Sequence, residues 1–162
     1  MVKRKNAREL ALKVIFQVDV GQLPLDEVLE TSLAEVAPPA DDWEYVSRVV
    51  TGAVRELGSL DAIIDDLAEG WRLERLARVD KNVLRIALYE MQYERDQPAN
   101  VIINDAVEIA KKYSTEDSGR FVNGILGSFL RRQSPATGSA PQAETEAVTT
   151  PETGAAVAEM GR

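Results

Sequence analysis

An all-α fold is predicted by three features of the chain. Apolar residues recur at i, i+3, i+4 and i+7 along the chain from near residue 5 to residue 133. No segment keeps the period-two alternation of a half-buried strand, and glycine or proline interrupts the pattern at intervals of about one helix. Short connections between about seven such helices imply antiparallel neighbours packed in bundles. The Gly58-Ser59 joint and the break at Gly70 divide them into two packed helical bundles.

The first helix carries Ala7, Leu10, Ala11, Val14, Ile15 and Val18 on one stripe and stops at Gly21. Pro24 opens the second, whose stripe is Leu25, Val28, Leu29, Leu33 and Val36, ended by Pro38-Pro39. A third begins near Asp41 and shows Val46, Val49, Val50, Ala53, Val54 and Leu57. Ser59 is placed to cap a fourth with Ile63, Ile64 and Leu67. After Gly70, "WRLERLARV" reads as a short helical connector. Asp80 looks like the cap of a strong fifth helix with Val83, Leu84, Ile86, Ala87, Leu88 and Met91 inside, ended by Gln97-Pro98. "VIINDAVEIAKK" gives a sixth.

The seventh, from about Ser118 to Arg132, contains the dipeptide Asn123-Gly124, a strong hairpin signal in isolation. A hairpin here would have two-residue arms and no third strand. A helix instead puts Phe121, Val122, Ile125, Leu126 and Phe129 on one stripe, so the helical reading is preferred. Residues 134–162 contain no Leu, Ile, Phe, Tyr or Trp and cannot bury enough apolar surface to offset the entropy of ordering. The expected organisation is therefore a folded domain over 1–133 and a disordered tail over 134–162.

The chain has no Cys and no His. Thiol nucleophiles, Ser-His-Asp triads and the commonest transition-metal ligands are thereby excluded, which argues against an enzyme. Asp61, Asp65 and Glu69 share a helix face, but one helix supplies too few converging ligands for a metal site. Neither metal nor cofactor is expected. No apolar run approaches a membrane helix and no signal-peptide h-region follows "MVKRKNAREL", so a cytoplasmic location is expected.

Charge is unevenly placed. Residues 1–13 hold Lys3, Arg4, Lys5, Arg8 and Lys13 against Glu9 alone, a net +4, while the whole chain carries −8. A basic arm on an acidic body suggests contact with a polyanion, the alternative being a solvated helix start. Phe16 falls off the core stripe, in line with Lys5, Glu9 and Leu12. It is either a stacking platform for an unpaired base or a packing contact with the second half. On the last helix, Asp117, Arg120, Gly124, Gly127 and Arg131 form one polar strip with Asn123 beside it. Its glycines suit either close helix packing or approach of a phosphate backbone near a capped helix start. Glu90 lies within the apolar sector of the fifth helix and needs an arginine partner, from this chain or from another protein.

"VDKNVLRIALYEM" (79–91), "PANVIINDAVEIAKKYS" (98–114) and "DSGRFVNGIL" (117–126), in that order, resemble the NusB family of bacterial transcription antitermination factors, and "ARELALKVIFQVD" (7–19) looks like that family's first helix. The resemblance covers residues 3–132. It implies two small helical bundles that bind boxA-type RNA of rRNA operons. Binding would be shared with NusE, a small-subunit ribosomal protein, in complexes that modify RNA polymerase and suppress termination. The family's basic arm matches Lys3, Arg4, Lys5 and Arg8, and its first-helix aromatic matches Phe16. Its RNA-facing turn and final helix match Asp117, Ser118, Arg120, Phe121, Asn123 and Gly124, although spacing puts Phe121 on the apolar stripe. The NusE-facing surface would include Asp80, Tyr89 and Glu90. Departures are an arm poorer in arginine, "IND" for "INE", Phe for Tyr at 16, and the long tail. A protein-binding helical adaptor without RNA affinity is the alternative function. The RNA-binding module of an rRNA cytosine methyltransferase is disfavoured by the missing Gly-rich βα unit and Cys nucleophile.

Overall fold

A computed structural model describes residues 4–70 and 73–133. Among them are seven α-helices: α1 Lys5–Gly21, α2 Leu25–Val36, α3 Ala40–Arg55, α4 Leu57–Leu67, α5 Arg78–Tyr93, α6 Ala99–Tyr113 and α7 Glu116–Gln133, with a 3-10 turn at Leu73–Arg75 before α5. The chain divides into two units, Met1–Gly127 and Ser128–Arg162. The described part of the second unit is the end of α7, where Arg131 donates to Ser128 Oγ at 3.1 Å. Lys3 and the expected tail over 134–162 lie outside the described residues.

The first unit is organised around α5, which lies against α1, α3, α4 and α6. Every residue from Asp80 to Leu88 is buried, the polar Asp80, Lys81, Asn82 and Arg85 included. Leu84 and Leu88 are fully enclosed, as are Val14, Val46, Val49, Leu60 and Ile64 from the surrounding helices. Each such side chain contributes about 1.5–3 kcal/mol relative to an exposed one. One bundle is the mutually touching α1, α2 and α3; the other gathers α4 and α6 on α5, and α1 and α3 bind the two together through α5.

Several helix ends differ from the expected ones. Gly21 is the last residue of α1, and Gln22 takes the left-handed conformation (φ 54°) while its side-chain amide donates to the Asp19 carbonyl at 2.7 Å. Ala37 is also left-handed after α2 (φ 48°), and its backbone N–H donates to the Leu33 carbonyl before Pro38 prevents continuation. The α3–α4 joint is the single residue Glu56, so Ser59 lies inside α4 and caps nothing. Asp80 sits in the first turn of α5, which starts at Arg78, and Thr115 caps α7 by accepting the Ser118 N–H at 3.0 Å. Asp80 and Ser118 are thus freed from capping and face each other across the α5–α7 contact.

Candidate nucleic-acid interface

The basic start of α1 is not an exposed arm at Arg8. That side chain is 3% exposed, and its guanidinium forks onto Glu90, with Nε and Nη2 each donating at 2.8 Å to a carboxylate oxygen. Nη1 donates to Asp105 at 2.6 Å. Burial opposes the charge, but the Glu90 and Asp105 carboxylates outweigh it and hold the Arg8 pKa above its ordinary value. Glu90, fully enclosed, therefore finds its arginine within the chain. Arg4 lies 4.6 Å above the Tyr45 ring and 3.8 Å from Asp96, and Lys5 donates to Glu108 at 2.6 Å. Phosphate contact with Arg8 would first require breaking a buried pair, so the structure places it in the core as a support.

The outer face of α1 is better disposed. Leu12 is buried, whereas Phe16 is only half-buried. With Lys13, Gln17, Val79 and Tyr113 they line a cavity of about 370 Å³. Lys13 and Lys112 lie 5.8 and 5.3 Å from the Tyr113 ring centroid. The Tyr113 hydroxyl donates to Glu9 at 2.8 Å and Lys112 donates to the same oxygen at 3.0 Å. Burial would raise the Glu9 pKa, but these two donors hold it below the ordinary glutamate value. Tyr113 and Val79 escape sequence reading because they come from other helices. The run "KKYS" at the end of α6, basic residues beside an aromatic, is the one local signal that could have flagged Tyr113.

At the start of α7, Asp117, Arg120, Asn123 and Gly124 are all exposed, with Arg120 donating to Asp117. A Cβ built on Gly124 meets nothing within 4 Å among the described residues, so this glycine does not serve helix packing. Close packing occurs instead at Gly119, where a Cβ would lie 2.7 Å from Lys111 Cγ. Ser118 is buried, receives Thr115 Oγ1 at 3.1 Å and donates to Asp80 Oδ2 at 3.0 Å. Burial raises the Asp80 pKa despite the Ser118 and Ser114 hydroxyls. Phe121 is half-buried, and together with Arg75, Leu76, Asp80, Thr115 and Asp117 it lines a second cavity, of about 360 Å³.

The two cavities flank the α5 start and the α6–α7 turn: Val79 and Tyr113 line the first, Asp80 and Thr115 the second. Tyr89, expected on a partner surface, is half-buried over Gly52, and its ring centroid is 4.7 Å from that of exposed Tyr93. Asp61, from the acidic α4 face, accepts two Arg85 hydrogen bonds at 2.7 Å. Among the described residues no three acidic side chains gather to hold a metal, and no helix is long and apolar enough to cross a membrane.

Aromatic side chains beside cations are features of surfaces that hold unpaired nucleic acid. Comparison with known proteins sharpens the class: the model of the NusB family matches residues 5–131, and the chain belongs to that family. It is 44% identical over 130 residues to the transcription antitermination protein NusB of Thermoanaerobacter sp. (strain X514), covering 80% of this chain and 91% of that protein. The NusB of Symbiobacterium thermophilum is 40% identical over 148 residues, covering 85% and 95%. Among solved structures, T. maritima NusB superposes with a TM-score of 0.75 at 39% identity, covering 80% and 92% of the two chains. A chain from the crystal structure of antitermination factors NusB and NusE in complex with dsRNA gives 0.74 at 29% identity, covering 80% and 96%.

Proposed function

We propose that this chain is a transcription antitermination factor that binds boxA-type single-stranded RNA of rRNA operons together with the ribosomal protein NusE. In that assembly it would modify RNA polymerase to suppress termination, without catalysis and in the cytoplasm. Family membership supports the role, and the α7 start is the observation that carries the RNA site. There an exposed strip of Asp117, Arg120, Asn123 and Gly124 runs beside the Phe121 cavity, with no side chain blocking approach at Gly124. Lys3, Arg4 and Lys5 of the basic chain start would supply phosphate contacts, and Phe16 with Tyr113 and Lys13 would offer a second stacking position. Arg8 and Glu90 act from beneath by fixing α1 on α5. The NusE surface is drawn around Tyr89 and Tyr93.

The test is anisotropy of a labelled boxA-like single strand with the chain alone and with NusE, titrated from about 50 to 200 mM salt. Affinity should fall steeply with salt as counterions are recaptured, and the double variant Lys13→Glu, Arg120→Glu should weaken binding at every salt. A salt-independent affinity would remove the cationic face from the site. NusE binding without RNA binding in either setting would identify a protein-binding adaptor instead.

A further inference from the structure

The apolar stripe that spacing predicts for α2 is only partly covered. Of the helix's 12 residues, Val28 and Ser32 are buried, while Leu33 and Val36 stand 41% and 53% exposed. Leu33 forms one wall of a groove of about 670 Å³, with Pro38, half-buried Trp43, Glu44 and Arg48 along the rest of it. An apolar strip left open beside a tryptophan and rimmed by charge marks a surface for another protein. The charge has one sign. Between Lys13 and Arg48 the chain carries eight carboxylates and no lysine or arginine. Asp19 reaches Arg78 at 3.3 Å, but none of the other seven has a cation partner among the described residues. Helical spacing puts Asp26 and Glu30 on the strip of Leu33, and Asp41 on that of Glu44. Arg48, the cation in the groove, is already held by Glu94 through hydrogen bonds at 2.9 and 2.7 Å.

We infer that this groove seats a cationic amphipathic helix of a partner protein, its apolar anchors on Leu33, Val36 and Trp43 and its lysines or arginines against the carboxylate rim. Anchors at i, i+3 or i+4 and i+7 are the pattern by which one helix fills such a groove. The rim selects the charge: it repels a phosphate backbone, and a purely apolar segment would leave the carboxylates unmatched. In a symmetric pair of this chain the same acidic faces would meet, which disfavours a second copy. The site is separate from the RNA face. Asp19, near the end of α1, meets Arg78 at the α5 start, whereas Arg4, just before α1, lies over Tyr45, the neighbour of Glu44 in α3. Those two points are about 22 Å apart along α1, so an occupant of the groove leaves the α5 start free. The inference adds a partner to the RNA and NusE reading above and does not depend on it.

The experiment uses the full chain with Trp71→Phe, which leaves Trp43 as its one tryptophan, and a synthetic helical peptide with leucines at i, i+3, i+4 and i+7 and lysines elsewhere. The peptide should shift Trp43 emission to shorter wavelength in a saturable titration, and anisotropy of the labelled peptide reads the same binding with the natural chain. Replacing its lysines with glutamate, or its leucines with alanine, should weaken binding by about tenfold or more. On the protein, the double variants Leu33→Ser, Val36→Ser and Glu30→Lys, Glu44→Lys should each cost about tenfold, with folding checked by thermal melts. Saturating boxA-like RNA or NusE should leave the peptide bound. The inference is overturned if the leucine–lysine peptide does not bind, if the alanine peptide binds as tightly, or if either folded double variant binds like the natural chain. It is overturned equally if NusE displaces the peptide, which assigns the groove to that partner. Self-association of the natural chain that Leu33→Ser, Val36→Ser abolishes would assign it to a second copy and overturn it too.

Discussion

The starts of α1 and α7 each carry an arginine within the first turns, and the two end in opposite environments. In α1 the arginine at position 8 is enclosed and forked onto Glu90, with Asp105 taking its remaining nitrogen. In α7 the arginine at position 120 stands in solvent, paired with Asp117 one turn away. What differs is the neighbour. The α1 start lies against α5 and α6, which present carboxylates into the contact, whereas the strip through Gly124 faces nothing among the described residues. Charge alone therefore does not mark a binding surface. A cation already matched by a buried carboxylate holds the fold; an open one is available to a ligand.

The largest effect expected from breaking this contrast is at the buried pair. Glu90→Ala should cost about 3–5 kcal/mol in urea unfolding because it strands the Arg8 charge, whereas Arg120→Ala should stay within about 0.5 kcal/mol. A small loss at Glu90 would mean that Arg8 reaches water and belongs with the exposed cations.

Glycines sharpen the same comparison. Gly52→Ala should cost about 1–3 kcal/mol, since the new Cβ would clash with the Tyr89 hydroxyl and must displace that ring. Gly124→Ala should instead raise stability by about 0.5–1 kcal/mol through helix propensity. Thermal melts separate the two, and a destabilised Gly124→Ala would show that its face is packed.

The smallest effect is at Asp80. Its raised pKa means that the folded state binds a proton more readily than the unfolded one, so ionisation at neutral pH works against stability. Asp80→Asn should then raise Tm at pH 7, with the gain shrinking as pH falls below the ordinary aspartate value of about 3.9. A gain independent of pH would trace the effect to packing.

Much of this was legible in the sequence because helix periodicity is local. Most of the stripe residues of α1, α3 and α5 are buried, with Val18, Val54 and Met91 half-buried and Leu57 starting α4 instead of ending α3, and the helical reading of Asn123-Gly124 holds over the hairpin. Helix ends were less legible: Asp80, Ser118 and Ser59 all have capping side chains, yet only Thr115 among their neighbours occupies a cap. Choice among equivalent candidates depends on where the preceding chain enters. The Arg8–Glu90 pair joins residues on different helices, and Glu90 announced only that it needed some arginine. Tyr113 and Val79 joined the Phe16 cavity from helices that local spacing could not bring to α1.

By itself, the sequence determined the all-α class, the helical stripes, the exclusion of His and Cys chemistry, and the family motifs, because each is set by residue identity or by neighbours within two turns. Tertiary structure alone decided which charges are spent inside the fold and which glycine is open. It also left one oxygen of Asp80 without a donor among the described residues. Those outcomes depend on groups far apart in the chain, and burial, which sets the strength of an ion pair and the cost of an unpaired acceptor, exists only once the helices have packed.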